Sequence, residues 1–207
     1  MQSINTGNYK GIDISSWQGE VDFRKVSESG VQIVYIKATE GNYHVNPRLE
    51  EYYLGSKKNN MLIGFYHFFR ARVDAKEQAH YFASYVNGKD SNCRLALDIE
   101  LTDWCEAEEL SNMCVAFLEE VKRLTEKEVV VYTYTSFAKT SLTRSLSKYP
   151  LWIADYDVTT PEDNPIWNSW IGFQYLEAGK ISGISGYCPL DVFTEEILLD
   201  KGVLDIS

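Results

Sequence analysis

The chain of 207 residues lacks several features that would place it in common classes of protein. No segment approaches 18 consecutive apolar residues, so the sequence offers no candidate membrane span. Lys and Arg number 20 against 30 Asp and Glu, and the net charge of −10 argues against nucleic acid as a partner and against membrane contact. The N-terminal ten residues have no apolar core of a secretory signal, so we expect synthesis in the cytoplasm unless a signal has been removed.

Cysteine and histidine are also scarce, and they are scattered. The cysteines form no Cys-x-x-Cys pair and the histidines show no ligand spacing, which argues against the common metal sites. We therefore expect reduced thiols rather than disulfides, and neither a metal nor a cofactor. The residues concerned are Cys93, Cys105, Cys114, Cys188, His44, His67 and His80.

Aromatic residues, by contrast, are abundant, with 14 Tyr and 5 Trp. They fit either a large core or a carbohydrate cleft in which flat rings stack on sugar faces. A hydrophobic content of 44% at this length is enough for one globular domain. We expect a single domain over residues 1–207, with its core at about residues 10–200, and favour a monomer.

Short β-rich runs alternate with helix-like runs along the chain, a pattern typical of βα units and a parallel sheet. Eight predicted strands but only five good helices indicate an α/β fold, a flattened eight-stranded TIM-like barrel with helices missing in its second half. Residues 157–170 contain two prolines and predict a loop. The predicted strands are Gly11–Ser15, Gln32–Ala38, Leu62–Phe68, Arg94–Glu100, Val129–Tyr134, Leu151–Tyr156, Ile171–Tyr175 and Cys188–Phe193, and the predicted helices are Phe23–Glu28, Pro47–Asn59, Ala75–Val86, Glu106–Leu124 and Phe137–Leu146.

The segment 93–100, Cys-Arg-Leu-Ala-Leu-Asp-Ile-Glu, predicts a buried strand that ends in two carboxylates. Side chains alternate along a strand, so Asp98 and Glu100 point to the same face, roughly 6–7 Å apart. Two close carboxylates drive their pKa values apart, which suits one acid and one stabilising anion. Enzymes that cleave glycosidic bonds use such a pair of carboxyl groups, although Asp-x-Glu also occurs at ordinary polar strand ends.

The same alternation brings polar and aromatic side chains of the other strands to the carboxylate face, near the strand ends where barrel enzymes keep their active sites. Other roles stay open here: Asp13 caps a turn or supports catalysis, and Lys37 pairs with an aspartate or faces the cleft. His67 falls on the outward face, which predicts a structural role. The candidates for substrate contact are Lys37, Tyr66, Phe68, Tyr134, Trp152, Tyr156 and Gln174.

Five motifs occur along the chain in the same order as in one known family. With them the sequence resembles glycoside hydrolase family 25, the Chalaropsis-type N-acetylmuramidases, over nearly its whole length. In particular it resembles the catalytic domain of clostridial or clostridial-phage endolysins and autolysins. The motifs are Gly-Ile-Asp-Ile-Ser-Ser-Trp-Gln-Gly at 11–19, Tyr-Ile-Lys-Ala-Thr-Glu-Gly at 35–41, Gly-Phe-Tyr-His-Phe at 64–68, Leu-Asp-Ile-Glu at 97–100 and Leu-Trp-Ile-Ala at 151–154.

The resemblance implies a retaining enzyme that cleaves peptidoglycan between N-acetylmuramic acid and N-acetylglucosamine and that uses no cofactor. It implies that Glu100 is the general acid, that Asp98 stabilises the intermediate or the reacting acetamido group, and that Asp13 supports the cleft floor. The family has a fourth carboxylate on its last strand, where this chain has Pro189, with Asp191 two residues on. Strand parity keeps Asp191 on the same face. Either it projects toward the mouth as a catalytic carboxylate and helps to hold Glu100 protonated, which we favour, or it merely caps the strand or pairs with a surface Lys. Strand spacing alone does not decide between a protein nucleophile and attack by the substrate's own acetamido group, which we favour.

Two other functions fit part of the pattern. A family 18 chitinase-like barrel also ends its fourth strand in Asp-x-Glu, but the upstream aspartates of its Asp-Gly-x-Asp-x-Asp-x-Glu motif are absent here. A wall-binding module with weakened catalysis is left open by Pro189 and disfavoured by the retained carboxylates. The expected partner is the peptidoglycan glycan strand, outside the cell and reached by holin-mediated release or host lysis, and we expect no separate wall-binding domain in this chain.

Overall fold

A computed structural model describes residues 1–199, and residues 200–207 of the predicted domain lie outside this range. Strands and helices alternate along the described residues. The strands are β1 Tyr9–Ile14, β2 Ile33–Glu40, β3 His44–Val45, β4 Leu62–Phe68, β5 Leu95–Asp98, β6 Val129–Tyr134, β7 Leu151–Ala154, β8 Gly172–Gly179 and β9 Cys188–Phe193. The α-helices are α1 Phe23–Glu28, α2 Leu49–Lys58, α3 Ala75–Val86, α4 Ala107–Thr125 and α5 Thr135–Ser141.

Eight of these strands close into a barrel, in the order β1, β2, β4, β5, β6, β7, β8, β9 and back to β1. The short β3, which the sequence did not predict, pairs only with the end of β2. The predicted α/β barrel is confirmed. The prediction of an all-parallel sheet is wrong for β9, which runs antiparallel to both β8 and β1. Residues 180–187 join β8 to β9, and this connection is too short for the crossover that a parallel pair needs.

Most element bounds agree with the sequence prediction to within a few residues, and the differences in β5 and β8 fall at the mouth of the barrel. Strand β5 ends at Asp98, because its ladder with β4 and β6 ends there, so Glu100 lies just beyond the sheet. Strand β8 runs to Gly179, four residues past its predicted end at Tyr175. Helix α5 is shorter than predicted, and residues 144–146 form a separate 3₁₀ turn. After α5, the described residues contain no further α-helix and only two 3₁₀ turns, Arg144–Leu146 and Glu195–Ile197, which confirms the predicted loss of helices in the second half.

The barrel interior is filled by large rings. Tyr35, Trp152 and Phe193 pack with ring centroids 4.6–5.4 Å apart. Glycine makes the room for them, because a Cβ at Gly64 would lie 2.4 Å from the Tyr35 ring and one at Gly11 would lie 2.4 Å from Phe193. The rings form a solid plug below the mouth, which gives the cleft above it a floor.

The outer face of the barrel is covered by amphipathic helices. Helix α4 buries residues at the spacing of one helical face, so a continuous apolar stripe packs toward the sheet. Strand β5 contributes its opposite face, with Leu95 and Leu97 buried in the same core. Asp98, and Glu100 just beyond it, are thereby held at the end of a rigid strand that is packed from behind. The buried residues of α4 are Leu110, Ser111, Cys114, Phe117, Leu118 and Val121.

No helix within residues 1–199 is long and apolar enough to cross a membrane.

Candidate active site

The carboxyl ends of the parallel strands and the start of β9 surround a cleft of about 270 Å³. Most of the residues predicted from the sequence line this cleft. They are Asp13, Lys37, Tyr66, Phe68, Asp98, Glu100, Trp152, Tyr156 and Gln174.

Asp191 does not line the cleft, and the expectation that it projects toward the mouth is wrong. Because β9 runs antiparallel, Pro189 comes first at the mouth and lines the cleft, while Asp191 lies deeper, paired with Gly11 of β1 and Gln174 of β8. Its side chain is only 1% exposed. Strand parity correctly put Asp191 on the inward face, but parity says nothing about depth.

Tyr134 lies in a neighbouring cavity of about 520 Å³ rather than in the cleft itself. The two cavities share Glu100, Tyr156 and Glu177 and so form one continuous depression across the mouth.

Several cleft residues are not among the substrate-contact candidates from the sequence. Strand alternation assigns Tyr132, on the same face of β6 as Tyr134, to the mouth without marking it as a substrate contact. Trp17, 90% exposed, belongs to the motif at 11–19 and lines the cleft from the turn after β1. Glu177 had no signal, because it lies beyond the predicted end of β8 and the register of β8 against β9 shifts between Gln174 and Gly179. Ser15 also lines the cleft.

Asp98 and Glu100, here called the mouth pair, lie within hydrogen-bonding reach of each other. Burial, followed by the charge of Glu100, holds the pKa of Asp98 well above its usual range, and burial also raises the pKa of Glu100. Oδ1 of Asp98 is buried and has no other hydrogen-bond partner within residues 1–199. Two anions this close in a poorly hydrated site cannot both stay charged, so the mouth pair shares one proton.

Lys37 reaches the cleft, but its ion-pair partner is a glutamate rather than one of the aspartates. Its Nζ atom lies 2.8 Å from Oε2 of Glu40 and 4.7 Å from the centre of the Phe68 ring. Glu40 is held in turn by Arg70, which binds Asp103 with its Nε and Nη2 atoms at 2.9 Å each. This chain of ion pairs fixes a positive charge on the cleft wall, where it opposes the rise in pKa of the mouth pair.

Asp13 and Asp191, here called the floor pair, lie below the mouth pair. Gln174 donates from Nε2 to Oδ2 of Asp13 at 2.6 Å, and burial raises the pKa of Asp13 to about 7. Trp152 donates from Nε1 to Oδ1 of Asp191 at 2.9 Å. Burial, followed by the charge of Asp13, holds the pKa of Asp191 well above its usual range. Asp191 is therefore the protonated member, and its hydroxyl donates to Asp13.

Gln174 connects the floor pair to the cleft wall. Its Oε1 atom accepts hydrogen bonds from the hydroxyls of Tyr132 at 2.9 Å and Tyr156 at 2.8 Å, while Nε2 donates to Asp13. Gln174 and Trp152 are 3% and 2% exposed, so they hold other cleft groups more than they offer surface to a substrate.

His67 has the structural role predicted for it. Its ring is buried between Thr39, at 2.8 Å from Nδ1, and Gln78, at 3.1 Å from Nε2. Burial lowers the pKa of His67 to about 3, so the ring stays neutral. The cysteines at 93, 105, 114 and 188 are all unpaired. Across the described part of the chain, no group of three or more His, Cys, Asp or Glu side chains is arranged to hold a metal ion.

Comparison with known proteins identifies the family. The model of the glycosyl hydrolases family 25 matches residues 12–184. The chain belongs to this family. Family 25 membership removes the family 18 alternative.

The autolytic lysozyme of Clostridium acetobutylicum is 42% identical over 197 residues, which cover 94% of this chain and 59% of that lysozyme. The chain thus spans about three fifths of that relative. Among solved structures, a bacterial lysozyme from Streptomyces coelicolor superposes with a TM-score of 0.81 at 26% identity, covering 92% of this chain and 94% of the other. The CTP1L endolysin superposes with a TM-score of 0.80 at 31% identity, covering 91% and 67%.

Proposed function

We propose that the chain is a peptidoglycan hydrolase, an N-acetylmuramidase that cleaves the β-1,4 bond between N-acetylmuramic acid and N-acetylglucosamine. The observation that carries the proposal is the mouth pair, two carboxyl groups that share a proton at the end of a rigid strand inside a cleft. Glycosidic bond cleavage needs one proton donor and one anion. The names of the relatives, autolytic lysozyme and endolysin, support the same substrate class.

In the proposed mechanism Glu100 protonates the glycosidic oxygen. Asp98 is the more deeply buried member, so the shared proton lies on Asp98 while the cleft is empty. The acetamido N–H of the bound muramic acid unit then donates to Asp98 and favours its ionised form. The proton passes to Glu100, which delivers it to the leaving oxygen.

The acetamido carbonyl oxygen attacks the anomeric carbon as the bond to the leaving sugar breaks. The product of this step is an oxazolinium ion, and ionised Asp98 stabilises its positive charge. Glu100, now ionised, takes a proton from the water that opens the ring, and the configuration at the anomeric carbon is retained. Asp13 supplies a further negative charge below, and Tyr156, held by Gln174, contacts the sugar.

The reducing ends released from purified cell walls test this proposal. Digestion followed by borohydride reduction should yield muramitol, with the Glu100→Gln protein as the matched inactive control. Glucosaminitol in place of muramitol would mean that the other glycosidic bond is cut. Sedimentation with the walls without new reducing ends would favour the wall-binding module instead.

We also propose that the enzyme is made inside a cell and reaches the wall after holin-mediated release or host lysis. In a bacterial host with a susceptible wall, cytoplasmic expression should leave the culture turbid until chloroform permeabilises the membrane, and lysis should follow. Lysis without permeabilisation would contradict this route.

A further inference from the structure

Arg70 follows the end of β4 by two residues and does not itself line the cleft. Its Nε and Nη2 atoms donate to the two carboxylate oxygens of Asp103 at 2.9 Å each, and its Nη1 atom donates to Oε1 of Glu40 at 3.2 Å. The bond from Arg70 holds the pKa of Asp103 below its usual range, so both groups are charged at neutral pH. One partly buried cation therefore joins carboxylates of two different segments.

The bond to Asp103 acts on the segment that contains Glu100. Past Ile99, whose N–H still donates to a carbonyl oxygen of β6 at 3.0 Å, the chain leaves the sheet, and Glu100 is the next residue. Asp103 ties this segment back to the barrel, because its Oδ2 atom accepts from the N–H of Ala71 at 3.0 Å as well as from Arg70. Glu100 thus lies between a fixed strand end and a fixed turn.

The turn at residues 103 and 104 has a backbone that needs such support. Asp103 and Trp104 have φ angles of 47° and 75°, in the left-handed region. Aspartate adopts this region at modest cost, but a bulky side chain does so only where the surrounding contacts impose it. The side chain of Trp104 is 88% exposed and contributes little packing of its own. The bonds to Asp103 therefore hold this turn.

The bond to Glu40 acts on the cation of the cleft. Oε2 of Glu40 accepts from Nζ of Lys37 at 2.8 Å while Oε1 accepts from Arg70, so this carboxylate lies between two positive charges. Lys37 lines the cleft together with Glu100, and its charge opposes the rise in the pKa of Glu100. The backbone of Arg70 is fixed in turn, because the buried Gln78 accepts from its N–H and donates to its carbonyl oxygen, both at 2.9 Å.

We propose that Arg70 is a positioning residue for the general acid, Glu100. Through Asp103 it fixes the turn that follows the acid, and through Glu40 it fixes the ammonium of Lys37 on the cleft wall. A proton donor works only within hydrogen-bonding reach of the oxygen that it protonates, and a misplacement of about 1 Å can cost about 10²-fold in rate. This inference rests on the proposed function, because it takes Glu100 to be the proton donor.

Aryl glycosides with graded leaving groups separate proton donation from binding and folding. The substrates are the dinitrophenyl, nitrophenyl and phenyl β-glycosides of the N-acetylglucosaminyl-N-acetylmuramic acid disaccharide. Dinitrophenolate leaves without a proton, whereas phenol, like a sugar hydroxyl, leaves much faster when a general acid protonates it. Because release of the phenol is the first irreversible step, kcat/KM reports this step and not the later reaction with water.

Arg70→Met keeps the length and the apolar stem of the side chain and removes its forked donor. The control is Arg123→Met. Arg123 makes the same two-pronged bond, from Nε and Nη2 to Glu120 at 3.0 and 2.6 Å, but in the last turn of α4, at the end of the barrel opposite the mouth. A second variant, Asp103→Asn, weakens the same connection from its other side, and asparagine tolerates the left-handed backbone.

We expect Arg70→Met to lower kcat/KM at least about tenfold on the phenyl glycoside and less than about twofold on the dinitrophenyl glycoside, with the nitrophenyl glycoside between them. Asp103→Asn should show the same order of losses, and it decides the matter if Arg70→Met does not fold. Arg123→Met should match the wild type on all three substrates.

Equal losses on the three glycosides would mean that Arg70 serves only the fold, and no loss would mean that Glu100 does not depend on it. Either result overturns the inference while the proposed function stands. If the wild-type protein hydrolyses none of the three glycosides, the proposed function is overturned, and the role of Arg70 with it.

Discussion

The mouth pair and the floor pair are both made of two neighbouring carboxyl groups, but both members of the mouth pair line the cleft, whereas Asp191 of the floor pair is buried below it. Each member of the floor pair is held by a donor, Asp191 by Trp152 and Asp13 by Gln174. Each pair also has one buried oxygen with no partner outside the pair among residues 1–199, Oδ1 of Asp98 and Oδ2 of Asp191, but Glu100 of the mouth pair faces two cavities. Burial makes both pairs share a proton, but only the mouth pair is placed to pass its proton to a substrate. Access to the cleft, rather than the pKa shift itself, separates a proton donor from an electrostatic support.

The largest effect should follow from Glu100→Gln. The amide keeps the shape of the side chain but cannot give up a proton, so wall lysis should fall by at least roughly 10²-fold. Turbidity loss of purified walls measures the rate, and an unchanged thermal melting curve shows that the fold survives. Activity within about tenfold of the wild type would remove Glu100 from the role of acid.

Asp98→Asn should be nearly as severe, by at least about 10²-fold, because the oxazolinium ion loses its anion and Glu100 loses its partner for the shared proton. The same wall assay applies. If this variant keeps most of its rate, the stabilising anion must be sought in the floor pair.

Gln174→Met should have an intermediate effect, because the thioether removes the donor to Asp13 and the acceptor for Tyr132 and Tyr156 while keeping the length. Since the bond from Gln174 lowers the pKa of Asp13, that pKa should rise above about 7 in the variant. We expect a loss of activity of about tenfold at neutral pH, in line with one lost hydrogen bond to a charged group. Carbon-13 NMR titration of the carboxyl groups measures the pKa, and an unshifted Asp13 would contradict the role of Gln174.

Asp191→Asn should have the smallest effect on activity, within about twofold, with a pH–rate profile that overlays that of the wild type. A protonated Asp191 and an asparagine both donate to Asp13 and accept from Trp152, so the floor is unchanged. This reverses the expectation drawn from the sequence, in which a charged Asp191 raised the pKa of Glu100. If the loss of activity at high pH begins at a lower pH in the variant than in the wild type, the expectation drawn from the sequence would be correct after all.

The Asp191→Asn variant should also differ from the wild type in how its stability depends on pH. The pKa of Asp191 is raised in the folded state, so the unfolded chain loses this proton first as pH rises above about 4, and the free energy of unfolding falls. Asparagine carries no such cost. Between pH 4 and pH 7, the free energy of unfolding of the variant, measured in urea and relative to that of the wild type, should therefore rise by at least about 1.4 kcal/mol. This is the equivalent of one pKa unit. A constant difference across this range would mean that Asp191 is ionised in the fold.

The sequence by itself determined the barrel, most of its element bounds and the mouth pair. Strand alternation is a local property, so the residues from Leu95 to Glu100 carry their own division into a packed face and a carboxylate face. The helix-like spacing in α4 is local in the same way. The motif resemblance added the family, which the comparisons confirmed.

The tertiary structure alone decided depth and partners. The direction of β9 placed Asp191 in the floor pair below the cleft, and the shifted register of β8 brought Glu177 to the cleft. These outcomes depend on pairing between segments far apart in the chain, and alternation assigns a face without saying how far along the barrel a residue lies. The chemistry at this mouth was therefore readable from one strand, whereas the electrostatics beneath it required the closed barrel.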